Sequence, residues 1–395
     1  MLRNKLCSLI VFGLICVCQS IAGFVELSKG QSRPVDSSRI SLSTTDRVED
    51  MPWWPTKGFA SRGDYVGTEE CAKCHSGKAE SQQTTEMAQA SARPIDSDFL
   101  LGNSILNFKQ PPYVYKIESK GGAILYSVTD AEAVRSETLH FAFGKGIVGQ
   151  TYIYRVSDRF YESRLSYFVS LKALDITTGH SHSVPPDLER SMGRLLAPNE
   201  AQKCFGCHTT AATLNGHFDP SRSWAGVTCE GCHGPGLNHV TAMKAGRIED
   251  GRKAVLNPSK LDPGKSVDFC GACHRTSADV IEMGVIGVAT VRFQPFRLEE
   301  SRCWLRTEKP LTCVTCHDPH QPLVHDIDSY DHVCLDCHTS RETGNSKQDR
   351  RIVWCRVSDK HCINCHMPKV EVPDMHYSFT DHRIRIVRDG AGYPN

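Results

Sequence analysis

Residues 227–239 read Val227-Thr228-Cys229-Glu230-Gly231-Cys232-His233-Gly234-Pro235-Gly236-Leu237-Asn238-His239. Two thiols at this spacing reach the two vinyl groups of one porphyrin, and the next residue, His233, is placed under the iron as proximal ligand. Each residue type is chemically required. Sulfur makes the thioether bonds and imidazole binds the metal.

Working outward, the same Cys-x-x-Cys-His unit recurs at Cys71/Cys74/His75, Cys204/Cys207/His208, Cys270/Cys273/His274, Cys313/Cys316/His317, Cys334/Cys337/His338 and Cys362/Cys365/His366, seven units with the first. The competing use of Cys-x-x-Cys is zinc, which takes two such pairs or one pair with distant histidines. Here every pair is followed at once by His. That regularity selects covalent haem c (heme c with its iron), seven per chain, over zinc.

The composition agrees. The 395 residues are 39% hydrophobic and include 19 cysteines and 18 histidines. That apolar share is below the usual one for a globular chain, and the segments between motifs from 199 onward are short and polar. Such segments bury too little apolar surface to offset their ordering entropy. Tethered porphyrins would supply the missing interior. The formal charge is +1, and two propionates per haem turn it negative. That sign favours a basic or neutral redox protein as partner over nucleic acid or an anionic membrane.

Eleven histidines lie outside the motifs. His239 stands six residues past His233, and His320 three past His317. Neither easily reaches the far face of its own haem from so close, so each is expected to cap a neighbouring haem. His140, His376 and His382 are the next candidates, then His217 and His332, whereas His180 and His182 sit in a Gly-Ser loop. The first haem has no other histidine near it in sequence. Met87, twelve residues beyond His75, is its candidate thioether ligand, with packing on a helix face as the alternative. Beyond residue 22 two cysteines, Cys303 and Cys355, lie outside the motifs, and in an oxidising compartment such a pair is expected to form a disulfide.

The chain divides by composition. Residues 1–22 read as a signal peptide, with Arg3 and Lys5 before an apolar run from Leu6 to Val17 and small residues at Ser20 and Ala22; an uncleaved anchor is the alternative. Export to the periplasm or another extracytoplasmic space follows, with no integral membrane segment after cleavage. Residues 23–65 are a linker, and 66–98 a first haem-binding segment in which Cys71–His75 opens a short helix. Residues 99–198 hold no cysteine and form a β-rich insert. There Tyr113, Tyr115 and Ile117 alternate with less buried positions, Lys120-Gly121-Gly122 turns, and Ile124 to Val128 returns. A second hairpin joins Thr151–Val156 to Phe160–Phe168 through Ser157-Asp158. Residues 199–395 form a hexahaem domain. The expected fold class is α+β with little regular structure, short helices around stacked haems plus a small antiparallel β insert.

With these residues in hand, the chain resembles the cytochrome c-554/c-552-like group of multihaem c-type cytochromes over roughly 66–395. The resemblance is carried by Tyr65-Val66-Gly67 before Cys71, by Cys232-His233-Gly-Pro-Gly-x-x-His239, by Cys313 to His320, by Cys362 to Pro368 and by Thr380-Asp381-His382-Arg383-Ile384-Arg385. It implies electron transfer, with no assigned substrate. Periplasmic or membrane-bound cytochromes and quinol-linked complexes are the expected partners. The rival is an oxidoreductase acting on a small nitrogen or sulfur compound at one open haem, lined by His180, His182, Tyr161 and Tyr167. The lysine that replaces the motif histidine in haem nitrite reductases is absent here. A third reading is a filament or conduit subunit.

Overall fold

Alternating apolar residues between 105 and 176 build a seven-stranded antiparallel meander. Its strands are β1 (Ile105–Gln110), β2 (Tyr113–Lys120), β3 (Ala123–Thr129), β4 (Val134–Phe143), β5 (Gly149–Val156), β6 (Arg159–Phe168) and β7 (Ala173–Ile176), paired in chain order. Strand β1 also lies against β7, which nearly closes the sheet into a barrel. The computed structural model describes residues 60–305, 310–338, 355, 357–388, 390 and 393. The expected signal peptide and most of the expected linker lie outside the described residues.

The period-two pattern decides which face is inside. Tyr113, Tyr115 and Ile117 of β2 and Ile124, Tyr126 and Val128 of β3 are buried, while Val114 between them is exposed. Lys120 pairs with Ala123 across a two-residue turn. Gly121 and Gly122 take φ of 61° and 78° there, the left-handed values such a hairpin requires at both positions. Ser157, at φ 56°, opens the turn between β5 and β6.

The sheet is larger than the two hairpins expected from sequence. Strand β4 is weakly patterned, burying Leu139, Ala142 and Phe143 while Arg135 and Glu137 stay partly exposed. Its register with β5 slips between Leu139 and Phe141, which leaves His140 as the extra residue of a bulge. Two short strands extend the sheet, Ser91–Ala92 on β4 and Gly193–Leu195 on β6.

Every cysteine motif sits on a helix. These are α1 (Thr68–Gln83), α2 (Pro198–His208), α3 (Cys229–His233), α5 (Pro263–His274), α6 (Cys313–Cys316, with His317 just beyond), α7 (Asp331–His338) and α8 (Cys362–His366), while α4 (Leu237–Lys244) carries His239. Helix α1 runs further than the short helix expected, and His75 leaves helical geometry within it at φ −119° and ψ 42°. Proline at the first position starts both α2 and α5, where its missing N–H costs nothing.

An aromatic cluster docks α2 on the sheet. The Phe205 ring lies 4.7 Å from Phe141, 5.0 Å from Phe143 and 5.3 Å from Phe160, each near edge-on. Past residue 310 the picture changes. Among the described residues there, Val372 is the one hydrophobic side chain that is buried. Antiparallel sheet and short helices thus occupy separate stretches of chain, an α+β arrangement. Among the described residues no helix is long and apolar enough to cross a membrane.

Candidate haem-binding sites

Numbering the motifs in chain order gives sites 1 to 7. In each, the two cysteines stand one helical turn apart, so both thiols share a face with the histidine next to the second. Histidine rings from distant segments then approach these motifs. The ring centroids of His75 (site 1) and His239 are 6.3 Å apart with planes inclined by 24°. Those of His233 (site 3) and His320 are 6.0 Å apart at 11°, and those of His317 (site 5) and His382 are 6.3 Å apart at 44°. Two imidazoles bound to opposite sides of one metal, with metal–nitrogen bonds of about 2 Å and each ring nitrogen about 1.1 Å from its centroid, have centroids about 6 Å apart. The gaps fit an iron between the rings.

The second ring nitrogen is committed elsewhere. Nδ1 lies 2.9 Å from the Ala90 carbonyl in His208, 2.7 Å from Leu256 in His233 and 2.8 Å from Gly251 in His239. It lies 2.9 Å from the Arg385 carbonyl in His366 and 3.0 Å from Thr380 in His382. A carbonyl oxygen accepts and does not donate, so each Nδ1 carries the proton and Nε2 keeps the lone pair a metal needs. Burial lowers the pKa of His208, His233, His274 and His317, and takes His382 down to about 4. These imidazoles are therefore neutral at pH 7, the metal-binding form.

The motif helices also meet one another. The side chains of Cys71 and Cys229 lie close together, as do those of Cys270 and Cys313, and of Cys334 and Cys362. Burial pushes the thiols of Cys204 up to about 12 and of Cys232 and Cys316 up to about 11. Among the described residues no group of three or more His, Cys, Asp and Glu side chains is placed to hold a metal ion.

Cys74, Cys207, Cys273 and Cys365, the expected second attachment points of sites 1, 2, 4 and 7, differ in setting. None of them is in a disulfide. Cys74 and Cys365 are exposed, which leaves both open to a vinyl group. Cys207 and Cys273 are half-buried. The Cys207 thiol donates to the Ala272 carbonyl at 3.6 Å, and Ala272 lies inside the site 4 motif next to Cys273. Sites 2 and 4 are thus neighbours, although 66 residues separate Cys207 from Cys273.

Other candidates are placed differently. Met87, expected opposite His75, lies in the turn after α1, where its carbonyl accepts from the Ala90 and Val227 amides at 3.1 and 2.9 Å. The ring facing His75 is that of His239, which is far away in sequence and invisible to local spacing. His140 sits at the β4 bulge, and its Nδ1 accepts from the Arg155 amide at 3.2 Å. His376 places Nε2 2.9 Å from Asp175 Oδ2 and its ring edge-on to Phe168 at 4.8 Å, so it ties the paired strands Lys369–Val372 and Tyr377–Thr380 to the sheet. Neither His140 nor His376 is brought to a motif histidine. His217 is exposed, and His332 Nδ1 donates to Ser329 O at 2.7 Å.

The residues considered for an open haem belong to the sheet. His180 Nε2 lies 2.9 Å from Glu162 Oε2, and the Tyr161 ring stacks on Tyr154 at 5.2 Å. Tyr167 packs on Phe99, and the His182 carbonyl accepts from Gln110. Cys303 and Cys355 are free thiols, contrary to the expected bridge. Cys303 is half-buried near the site 6 thiol of Cys337, while the amides of Ser358 and Val357 lie by Cys355.

Sequence reasoning missed the carboxylates that brace these sites. Asp381 is fully buried and takes Arg297 Nε and Nη2 on its two oxygens at 3.0 Å each. It accepts the Arg383 amide at 3.0 Å as well, and so fixes the backbone on either side of His382. Its position next to His382 was the available signal.

Comparison with known proteins places this geometry. The family described as cytochrome c554 and c-prime matches residues 178–234. A curated relative, the multihaem cytochrome MtrA of Shewanella baltica (strain OS185), is 24% identical over 207 residues, 48% of this chain and 54% of that protein. The match thus spans about half the relative's length. Among solved structures, the outer cell wall cytochrome OcwA is similar at a TM-score of 0.46 and 14% identity, covering 82% of this chain and 80% of its own. The family match and the curated relative support a multihaem c-type cytochrome.

Proposed function

We propose that the chain is an extracytoplasmic cytochrome that holds seven covalent haems and passes electrons among them and on to other redox proteins. The observation that carries this reading is the set of three histidine pairs spaced for one iron each. The cysteines of the seven motifs, Cys74, Cys207, Cys273 and Cys365 among them, would form the thioethers. His75, His208, His233, His274, His317, His338 and His366 would be the proximal ligands. His239 would complete site 1, His320 site 3 and His382 site 5. The haem supplies a one-electron couple whose potential follows its axial ligands and surroundings. The chain's own backbone carbonyls hold Nδ1 of His233, His239 and His382, which would leave Nε2 of each for the metal.

Cross-capping follows from this assignment. His239 leaves the segment just after site 3 to serve site 1, and His320 leaves the segment just after site 5 to serve site 3. Single substitutions of His239, His320 and His382 by Ala test it. Each should convert one ferric haem from low spin to high spin and let that haem bind cyanide when oxidised or carbon monoxide when reduced. Three variants with unchanged spectra would overturn the assignment.

A further inference from the structure

Two buried carboxylates outside any ligand set occupy matching positions in two places. Glu230, 2% exposed, stands between Cys229 and Cys232 of α3. Its Oε1 accepts from the Val66 and Gly236 amides at 2.9 and 2.7 Å, and its Oε2 from the Gly67 amide at 2.8 Å. Val66 and Gly67 lead directly into α1, the helix of site 1. Gly236 leads into α4, the helix that brings His239 to His75. The fit is tight, because a Cβ on Gly236 would stand 2.9 Å from Val66 Cγ2 and 3.1 Å from Glu230 Oε1.

Asp331, 7% exposed, opens α7, the helix of site 6. It accepts from the His361 and Cys362 amides at 2.7 and 2.9 Å, and Cys362 opens α8, the helix of site 7. Helix starts leave backbone N–H groups without intrahelical partners. Here a carboxylate from a different motif helix takes them. Both clamps join helices whose cysteines lie near each other, Cys71 by Cys229 and Cys334 by Cys362.

We propose that Glu230 and Asp331 are positioning residues that each clamp two motif helices together, so that the attachment points of sites 1 and 3, and of sites 6 and 7, are held side by side as fixed haem pairs. The proposal rests on the haem reading above. Sites 4 and 5, joined through Cys270 and Cys313, touch neither carboxylate and serve as the internal control.

The test uses full-length holoprotein carrying Glu230→Gln or Asp331→Asn, with haem content checked by mass. An amide side chain keeps the volume but turns one acceptor into a donor facing a backbone N–H. Glu189→Gln, at an exposed carboxylate paired with Arg135, is the control. Paramagnetic resonance of the oxidised protein reads coupling between neighbouring irons. Glu230→Gln should alter the signals of two of the seven haems and Asp331→Asn those of two others, with shifted midpoint potentials and full haem content. Spectra and potentials matching the wild type in both variants would overturn the proposal.

If either variant fails to accumulate, amide exchange in the wild type decides. The amides of Val66, Gly67, Gly236, His361 and Cys362 should exchange at least about tenfold more slowly than exposed loop amides such as that of Gly179. Exchange at loop rates would overturn the clamp. A wild-type protein without haem would instead defeat the haem reading, and the same exchange experiment would still judge the clamp.

Discussion

The meander and the cysteine-rich half of this chain are built on opposite terms. Between 105 and 176 the strands bury one another's side chains, with Tyr115, Tyr126, Val128 and Leu165 wholly inaccessible. Beyond 310 the described residues bury Val372 alone among hydrophobics, while Leu323, Val324, Ile386 and Val387 stand exposed. What lies buried in that last stretch besides Val372 is carboxylate, Asp331 and Asp381. A stretch of chain can leave its interior to a cofactor, provided it places sulfur and nitrogen where that cofactor must attach. The sheet packs against itself, and the motif helices need something between them.

The largest expected effect separates the two regions outright. In full-length protein with every motif cysteine changed to Ser, the amides of α7 and α8 should exchange within minutes, while those of β2, β3 and β6 stay protected. Equal protection in both halves, read by hydrogen-exchange mass spectrometry, would contradict that division.

Buried ionic contacts come next. Arg297 and Asp381 are both inaccessible, and breaking such a pair by removing one partner costs about 3–5 kcal/mol. Arg297→Ala should free the segment holding His382, so that the site 5 haem becomes high spin. The pH dependence has a definite sign. Burial opposes ionisation of Asp381, but Arg297, the Arg383 amide and Arg385 outweigh it and hold the carboxyl below its ordinary value. The stabilisation is therefore complete above about pH 4, the unfolded value, and disappears as pH falls through the lowered one. An acid titration of the site 5 spectrum should show His382 retained through pH 4.

A cavity in the sheet probes the contrast from the other side. Ile117→Ala, at a position 1% exposed, should destabilise the meander by about 2–5 kcal/mol in a thermal melt and leave the haem count unchanged. Loss of haem in this variant would show that the two regions fold as one. The smallest effect is expected at Lys244, whose exposed ammonium pairs with Glu70 at 2.6 Å. Exposed pairs contribute little, so Lys244→Ala should leave both the melt and the spectra unchanged.

How much of this was legible depends on range along the chain. The motifs are read directly because thioether chemistry fixes residues within one turn of each other. The Gly121-Gly122 hairpin is legible for the same reason, since positive φ at two adjacent positions is a local demand. That His239 and His320 would lie away from their own motifs was expected from reach alone. Which motif histidine each faces was not legible, because His75 and His239 meet only through the packing of α1, α3 and α4. Met87 looked attractive for site 1 by nearness in sequence, and a histidine from a distant helix stands there instead. The contact of Cys207 with the site 4 motif is equally a product of packing, with no local signal in the chain. Glu230 was passed over because a glutamate between two motif cysteines looks like a solvated side chain until its three amide partners are seen. His140 and His376 had the right chemistry, but a strand bulge and Asp175 hold them elsewhere.

The intact mass of the purified, mature protein, taken with its absorption spectrum, puts covalent iron porphyrin in the motif half to the most direct trial. Seven attached haems should give a red protein, heavier than its polypeptide by seven porphyrin masses, with a ferrous spectrum of low-spin c-type haem. A colourless protein, or one with no added porphyrin mass, would refute covalent haem at these motifs.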